Sequence, residues 1–207
     1  MQEILDQRVV PVAVIERVED AVPVAKALIA GGLTTLELTL RTPAALECLI
    51  AIRRDVPEMK VGAGTVLTSE QVRKVAEAGA YFAVAPGLNP RIVALAKVRK
   101  LPFYPGVMTP SDVEHGLELG CTLQKFFPAE AAGGLNMIKA LAGPYAHTGL
   151  KLIPLGGVTA QNMKEYLANP LVAAVGGSWL VDKKLVAAKD WSGITALARE
   201  AATLAKS

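Results

Sequence analysis

The sequence is short of the residues that make metal sites and disulfide frameworks. It has two cysteines, Cys48 and Cys121, and two histidines, His115 and His147, in 207 residues. The cysteines form no CxxC pair, and no histidine falls near them, so no zinc-type ligand set and no short disulfide scaffold is expected. Cys48 falls on an expected helix and Cys121 just before an expected strand, which makes both core residues. There is no block of basic residues and no basic stripe interleaved with aromatics. The net charge of +3 comes from residues scattered singly or in pairs, so nucleic acid is not an expected partner. No uninterrupted apolar segment approaches the ~18 residues of a membrane span. The N-terminal Met1-Gln2-Glu3-Ile4 lacks the charged region and apolar run of a signal peptide. No membrane association and a cytoplasmic location are therefore expected. No GxGxxG follows the first apolar run, so a dinucleotide fold lacks its best marker.

The chain is instead rich in Ala, Val, Leu and Gly, and 52% of it is hydrophobic. Its length favours one domain, spanning residues 1–207. Eight short apolar runs, at 9–15, 35–40, 60–64, 81–85, 102–105, 122–127, 150–155 and 172–175, stand out. Helix-period segments follow them, at about 18–30, 43–54, 69–78, 90–98, 110–119, 134–142 and 160–167, with a last helix at about 192–205. Strand starts recur at intervals of roughly 20 to 29 residues, one βα unit each. Continuous apolar strands alternating with helices mean a parallel sheet covered by helices. The expected fold is a single α/β (β/α)8 TIM barrel with a short N-terminal helix, and the alternative is an open parallel sheet.

The anomalous residue is Lys125, flanked by apolar residues in the sixth run. Lysine is almost never fully buried without a reason. Burial disfavours the ammonium form, and a desolvated lysine amine is the usual nucleophile for Schiff-base chemistry on carbonyls. The alternative is a lysine that runs its stem along the strand to solvent. Glu37 lies between apolar residues in the second run, and a lone buried carboxylate is costly unless paired or protonated. In one barrel interior the two would solve each other's problem, either as a structural salt bridge or as an imine-forming amine with a proton-moving acid. Barrel active sites lie at the C-terminal ends of the strands. Polar residues there include Arg41, Thr65 and Thr109, with the Pro86-Gly87 turn after the fourth run. Arg41 suits a carboxylate through its planar fork, or is an exposed arginine at a helix start. Gly156-Gly157 and Gly176-Gly177-Ser178 follow the seventh and eighth runs, the usual phosphate position in such barrels.

These residues together carry a resemblance that covers nearly the whole chain. The strings Val10-Pro11-Val12, Leu36-Glu37-Leu38-Thr39-Leu40-Arg41-Thr42, Gly62-Ala63-Gly64-Thr65-Val66-Leu67, Pro86-Gly87-Leu88, Lys125-Phe126-Phe127-Pro128-Ala129-Glu130 and Gly176-Gly177-Ser178-Trp179-Leu180-Val181 stand in the sequence. It resembles the bacterial 2-keto-3-deoxy-6-phosphogluconate (KDPG) aldolases, class I aldolases of the Entner–Doudoroff pathway. The resemblance implies cleavage of KDPG to pyruvate and glyceraldehyde 3-phosphate, and also cleavage of 4-hydroxy-2-oxoglutarate (KHG). It makes Lys125 the Schiff-base lysine and Glu37 the general acid/base. Arg41 and Thr65 would hold the pyruvate carboxylate, with Pro86 and Phe127 lining the pocket. Gly156, Gly157, Gly177 and Ser178 would bind phosphate. It implies a homotrimer and no metal or organic cofactor.

The sequence also departs from that pattern. The family usually has threonine where Leu155 stands, and aldolases for the galactonate epimer resemble this chain in being apolar there, which marks Leu155 as a specificity residue. Ala85 stands for a common serine, and Met108 precedes Thr109 where smaller residues are frequent. The alternatives left are an aldolase of shifted stereochemistry, an aldolase mainly for the non-phosphorylated substrate, a sugar-phosphate barrel enzyme that forms no imine, and a non-catalytic barrel.

Overall fold

Alternating apolar strands can bury both faces only if something covers each face, and this chain does so with two separate cores. The computed structural model describes residues 2–206; Met1 and Ser207, the ends of the expected domain, lie outside them. The elements run α1 (Gln2–Gln7), β1 (Val9–Ala13), α2 (Val18–Ala30), β2 (Thr35–Thr39), α3 (Ala45–Asp55), β3 (Lys60–Gly64) and α4 (Ser69–Glu77). Next come β4 (Ala83–Val84), α5 (Pro90–Val98), β5 (Phe103–Tyr104), β6 (Gly106–Val107), α6 (Pro110–Glu118) and β7 (Leu123–Phe126). The chain ends with α7 (Gly134–Tyr145), β8 (Lys151–Pro154), α8 (Met163–Leu167), β9 (Val175–Gly177), α9 (Lys183–Ala187) and α10 (Trp191–Lys206).

The strands form a six-stranded sheet, β5-β4-β3-β2-β1-β9, and a three-stranded sheet, β6-β7-β8. All of the strand pairs are parallel. Only Pro105 separates β5 from β6, and its carbonyl accepts from the Lys125 N–H at 2.9 Å. At the other seam Leu152 bridges Val172, and the Ala173 N–H donates to the Leu152 carbonyl at 3.0 Å. The fold is therefore α/β with curled parallel sheets, and one chain runs through both seams.

Side chains alternate across every strand, as a period of two requires. Leu36, Leu38, Val61, Ala63, Phe126 and Leu152 face the helices in one large cluster. Val10, Phe82, Val84, Tyr104, Leu123, Ile153, Leu155 and Ala174 form a second cluster on the inner face. Burying each such Val or Leu contributes about 1.5–3 kcal/mol relative to exposure. The glycines of β3 fit the inner face: a Cβ at Gly62 would lie 2.4 Å from the Phe82 ring, so only glycine leaves that ring its place. On the outer face, a Cβ at Gly31 would lie 2.4 Å from the Ala198 Cβ, which is how closely α10 packs over the end of α2.

Several expected boundaries move. The fourth run keeps only Ala83–Val84 as strand. The fifth keeps Phe103–Tyr104 as strand, and a second short strand, Gly106–Val107, continues beyond the expected run after Pro105, which has no N–H to give to a ladder. The expected strand at 172–175 is displaced: Val172 makes a single bridge, and the ladder itself is Val175–Gly177 against Val9, Val10 and Pro11. Gly176-Gly177 is thus strand, where a turn was expected. The seventh helix starts late, at Met163, and α9 and the 3-10 turn Ser178–Val181 were not foreseen. The helix at 134–142 runs on to Tyr145 through Pro144.

Candidate active site

The inner face carries a cation and an anion among apolar side chains. Lys125 is 6% exposed and Glu37 2%, so neither reaches bulk water and each must find its partner inside. They find each other. Lys125 Nζ donates to Glu37 Oε1 at 3.1 Å. Alternation puts both there: Lys125 is flanked by outward Gln124 and Phe126, and Glu37 by outward Leu36 and Leu38. The Phe127 ring lies 5.3 Å from Nζ, within cation–π range. Beneath the pair is a cavity of about 10 Å3, lined by Val10, Phe82, Tyr104, Ile153 and Leu155, which is room for about one water.

Glu37 needs room made by its neighbour strand. A Cβ on Gly64 would lie 2.2 Å from Glu37 Oε1. The next residue, Thr65, has φ +59, a left-handed conformation that is an outlier for a β-branched residue. Strain of this kind gathers at functional sites. Leu155 lines the same small cavity as the pair. Its side chain presses on β9, where a Cβ on Gly176 would meet Leu155 Cγ at 2.5 Å.

A larger cleft of about 580 Å3 is lined by Val12, Arg41, Gly157, Ser178, Trp179 and Lys184, among others. This brings together three expected residues, Arg41, Gly157 and Ser178, from beyond the ends of β2, β8 and β9; Gly156 and Gly177 do not line it. The Arg41 guanidinium has no side-chain partner among the described residues. Gly156 and Gly157 have φ +93 and +91, a turn that only glycine adopts without strain. The two glycine pairs differ in kind. Gly177 is extended, at φ −158, and a Cβ there would overlap the Trp179 ring. Trp179 both packs on the core and lines the cleft. Lys183 and Lys184, which the sequence reading passed over, line it too. The Asp182-Lys183-Lys184 signal was a helix start: Asp182 caps α9 by accepting from the Lys184 N–H at 2.7 Å.

Two expected residues fall elsewhere. Pro86 lines a separate apolar groove of about 300 Å3 with Leu67, Leu88 and Ile92. Thr109 is a cap. Its hydroxyl accepts from the Asp112 N–H while Asp112 accepts from the Thr109 N–H, a closed capping box. No group of three or more His, Cys, Asp or Glu side chains that could hold a metal occurs among the described residues.

A parallel α/β chain with an inward amine and carboxylate in contact fits the class of enzymes that hold a carbonyl substrate as an imine. The particular family follows from comparison with known proteins. The family model "Aldolase: KDPG and KHG aldolase" matches residues 1–197. The 2-dehydro-3-deoxy-phosphogluconate aldolase of Treponema pallidum is 48% identical over 193 residues, 93% of this chain and 91% of the relative. The KHG/KDPG aldolase of Escherichia coli K12 is 46% identical over 198 residues, 96% and 92% of the two chains. Among solved structures, the KDPG aldolase of Legionella pneumophila superposes with a TM-score of 0.92 at 41% identity, covering 96% of this chain and 97% of that one. That crystal holds pyruvate, captured at low pH as a covalent carbinolamine intermediate. The chain belongs to the KDPG and KHG aldolase family.

Proposed function

We propose that the protein is a class I aldolase that cleaves KDPG to pyruvate and glyceraldehyde 3-phosphate, and KHG to pyruvate and glyoxylate. The observation that carries the reading is the buried contact of 3.1 Å between Lys125 Nζ and Glu37 Oε1. A lysine held next to a carboxylate in an apolar site can lose its proton to that neighbour and attack a carbonyl. Family membership and the near relatives supply the substrate.

In this reading the Lys125 amine adds to C2 of the 2-keto acid. Glu37 gives a proton to the C2 oxygen, water leaves, and an iminium forms. The iminium draws electrons, and Glu37 takes the proton of the C4 hydroxyl, directly or through one water. The C3–C4 electron pair moves into the iminium as the bond breaks. The aldehyde departs and an enamine of pyruvate remains. Protonation at C3 and addition of water then release pyruvate and return the amine. Arg41 and strained Thr65 hold the carboxylate, and Phe127, whose ring lies 5.3 Å from the amine, shapes the approach to it. Gly156, Gly157, Gly177 and Ser178 receive the phosphate beside the cleft, which Gly157 and Ser178 line and where Asp182 is the one carboxylate among the lining side chains.

Leu155 favours a second stereochemical reading. Its aliphatic side chain lines the cavity at the amine and offers no hydrogen bond to a substrate hydroxyl. Relative kcat/KM on KDPG and on its galactonate epimer decides between them; preference for the epimer selects the second. We also read the two sheets as one single-domain (β/α)8 barrel. The seams at Pro105 and at Leu152–Val172, and the inner cluster they would enclose, support closure. A phosphorylated substrate supports a cytoplasmic location, and the family resemblance supports a homotrimer.

The test of the function is Lys125→Met, whose unbranched stem fills much of the lysine's space. Pyruvate release from KDPG is expected to fall below detection while the circular dichroism spectrum is kept. A folded variant with wild-type turnover contradicts the imine.

A further inference from the structure

The Gly156-Gly157 turn is held from below by residues with no place in the chemistry. Gly156 gives its carbonyl to the Glu130 N–H at 2.9 Å, and Leu155 gives its own to the Ala129 N–H at 2.7 Å. The lysine strand's exit is thus strapped to the glycine turn. Gly157 gives its carbonyl to Asn162 Nδ2 at 3.1 Å, and Asn162 Oδ1 accepts from the Thr159 N–H at 2.8 Å. With these carbonyls engaged, the N–H groups of Gly156, Gly157 and Val158 have no acceptor among the described residues. Successive free N–H groups of this kind make an anion-binding concavity.

The side chain packed against this turn is Glu130. Gly157 lies directly on it: a Cβ at Gly157 would be 2.3 Å from Glu130 Cγ and 2.6 Å from its Cβ. Glu130 does not line the cleft. A carboxylate this near a phosphate turn would repel an anion, so binding it is not its use. Its Oε1 accepts instead from the Tyr166 hydroxyl on α8. Tyr166 is 2% exposed. Burial, together with the Glu130 carboxylate, pushes the Tyr166 hydroxyl up, so it stays a donor through the neutral range. Gly134, at the start of α7, closes on the same pair, its Cβ position 3.1 Å from Tyr166 Oη. One hydrogen bond therefore ties the exit of β7 to α8 beneath the turn.

We propose that Glu130, gripped by Tyr166, is a positioning residue that sets the Gly156-Gly157 turn for a phosphate group and so gives the enzyme its preference for phosphorylated over non-phosphorylated substrates. This rests on the aldolase reading above. KHG is shorter than KDPG and carries no phosphate, so its cleavage does not depend on the turn.

The test compares wild type, Tyr166→Phe and Glu130→Gln on KDPG and on KHG. Tyr166→Phe removes only the donor, and its KM for KDPG is expected to rise roughly tenfold with kcat kept, since the turn supplies binding shared by ground and transition states. Inorganic phosphate should lose potency as a competitive inhibitor in parallel. Glu130→Gln keeps the Cβ and Cγ under Gly157 and an oxygen that accepts from Tyr166, so it is expected to stay close to wild type. kcat/KM on KHG should be unchanged throughout. An equal loss on both substrates in Tyr166→Phe, or an unchanged KM for KDPG, overturns the proposal and leaves the aldolase intact. A wild-type enzyme that cleaves neither substrate overturns the underlying reading and this inference with it.

Discussion

Glu37 can lie beside Lys125 only because Gly64 has no side chain, since a Cβ there would come 2.2 Å from its carboxylate oxygen. The pair is therefore a property of three residues. Removing one partner of a buried pair leaves the other charge uncompensated, so the informative substitution is isosteric. Glu37→Gln keeps the shape and a hydrogen-bonding oxygen for the Lys125 amine but cannot shuttle protons. kcat on KDPG should fall by about 10²–10⁴-fold, the usual worth of a general acid–base, and wild-type kcat in the folded variant contradicts the role. Lys125 and Glu37 were legible in the sequence because a charge inside an apolar strand breaks the pattern around it. Arg41 and Ser178 were legible by position and meet in one cleft. Tyr104, Asn162 and Tyr166 were not, because a tyrosine or asparagine in a strand or helix breaks no pattern. Their importance comes from what lies across from them in space.

At the scale of elements, turn chemistry decided what the end of each strand could be. Thr109 stands after β6, where a substrate contact is expected of a barrel, yet the Thr109–Asp112 capping box uses both its hydroxyl and its N–H. Thr109→Ala is accordingly expected to cost about 1 kcal/mol of stability in chemical denaturation, with kcat/KM unchanged. A loss of turnover without loss of stability would return Thr109 to the active site. The two glycine pairs show what the sequence withheld. Both read as turns after strands, but Gly156-Gly157 is left-handed turn and Gly176-Gly177 is extended strand paired with Val10 and Pro11. Glycine permits both conformations, so composition alone does not choose; the surroundings differ, with Leu155 and Trp179 filling the space a Cβ would take at Gly176 and Gly177, and Glu130 filling it at Gly157. The strand Gly106–Val107 was missed because Pro105 reads as the end of the fifth run, whereas the chain resumes pairing directly after a residue that has no N–H to give.

Across the whole molecule, Lys125 and Glu37 are 88 residues apart and belong to different sheets, β7 in the three-stranded one and β2 in the six-stranded one. Only the curl of both sheets about the inner cluster brings them into contact. The alternation of strands and helices made the parallel α/β class legible, and family membership over residues 1–197 agrees with it. The contacts at the two seams, the Lys125 N–H on the Pro105 carbonyl and the Leu152–Val172 bridge, are ones that no periodicity encodes. Assembly belongs to this scale also. Leu67, 52% exposed, stands beside the apolar groove of Pro86, Leu88 and Ile92, a surface suited to contact between copies. Light scattering on the purified protein should give the mass of three chains, and a monomer mass would contradict the homotrimer.

The most direct test of the central claim is borohydride reduction in the presence of pyruvate, followed by intact-mass measurement and peptide mapping. The account predicts one reduced pyruvyl adduct per chain, on Lys125, absent without pyruvate and absent from Lys125→Met. A folded protein that cleaves KDPG with no adduct, or with the adduct on another lysine, would contradict it.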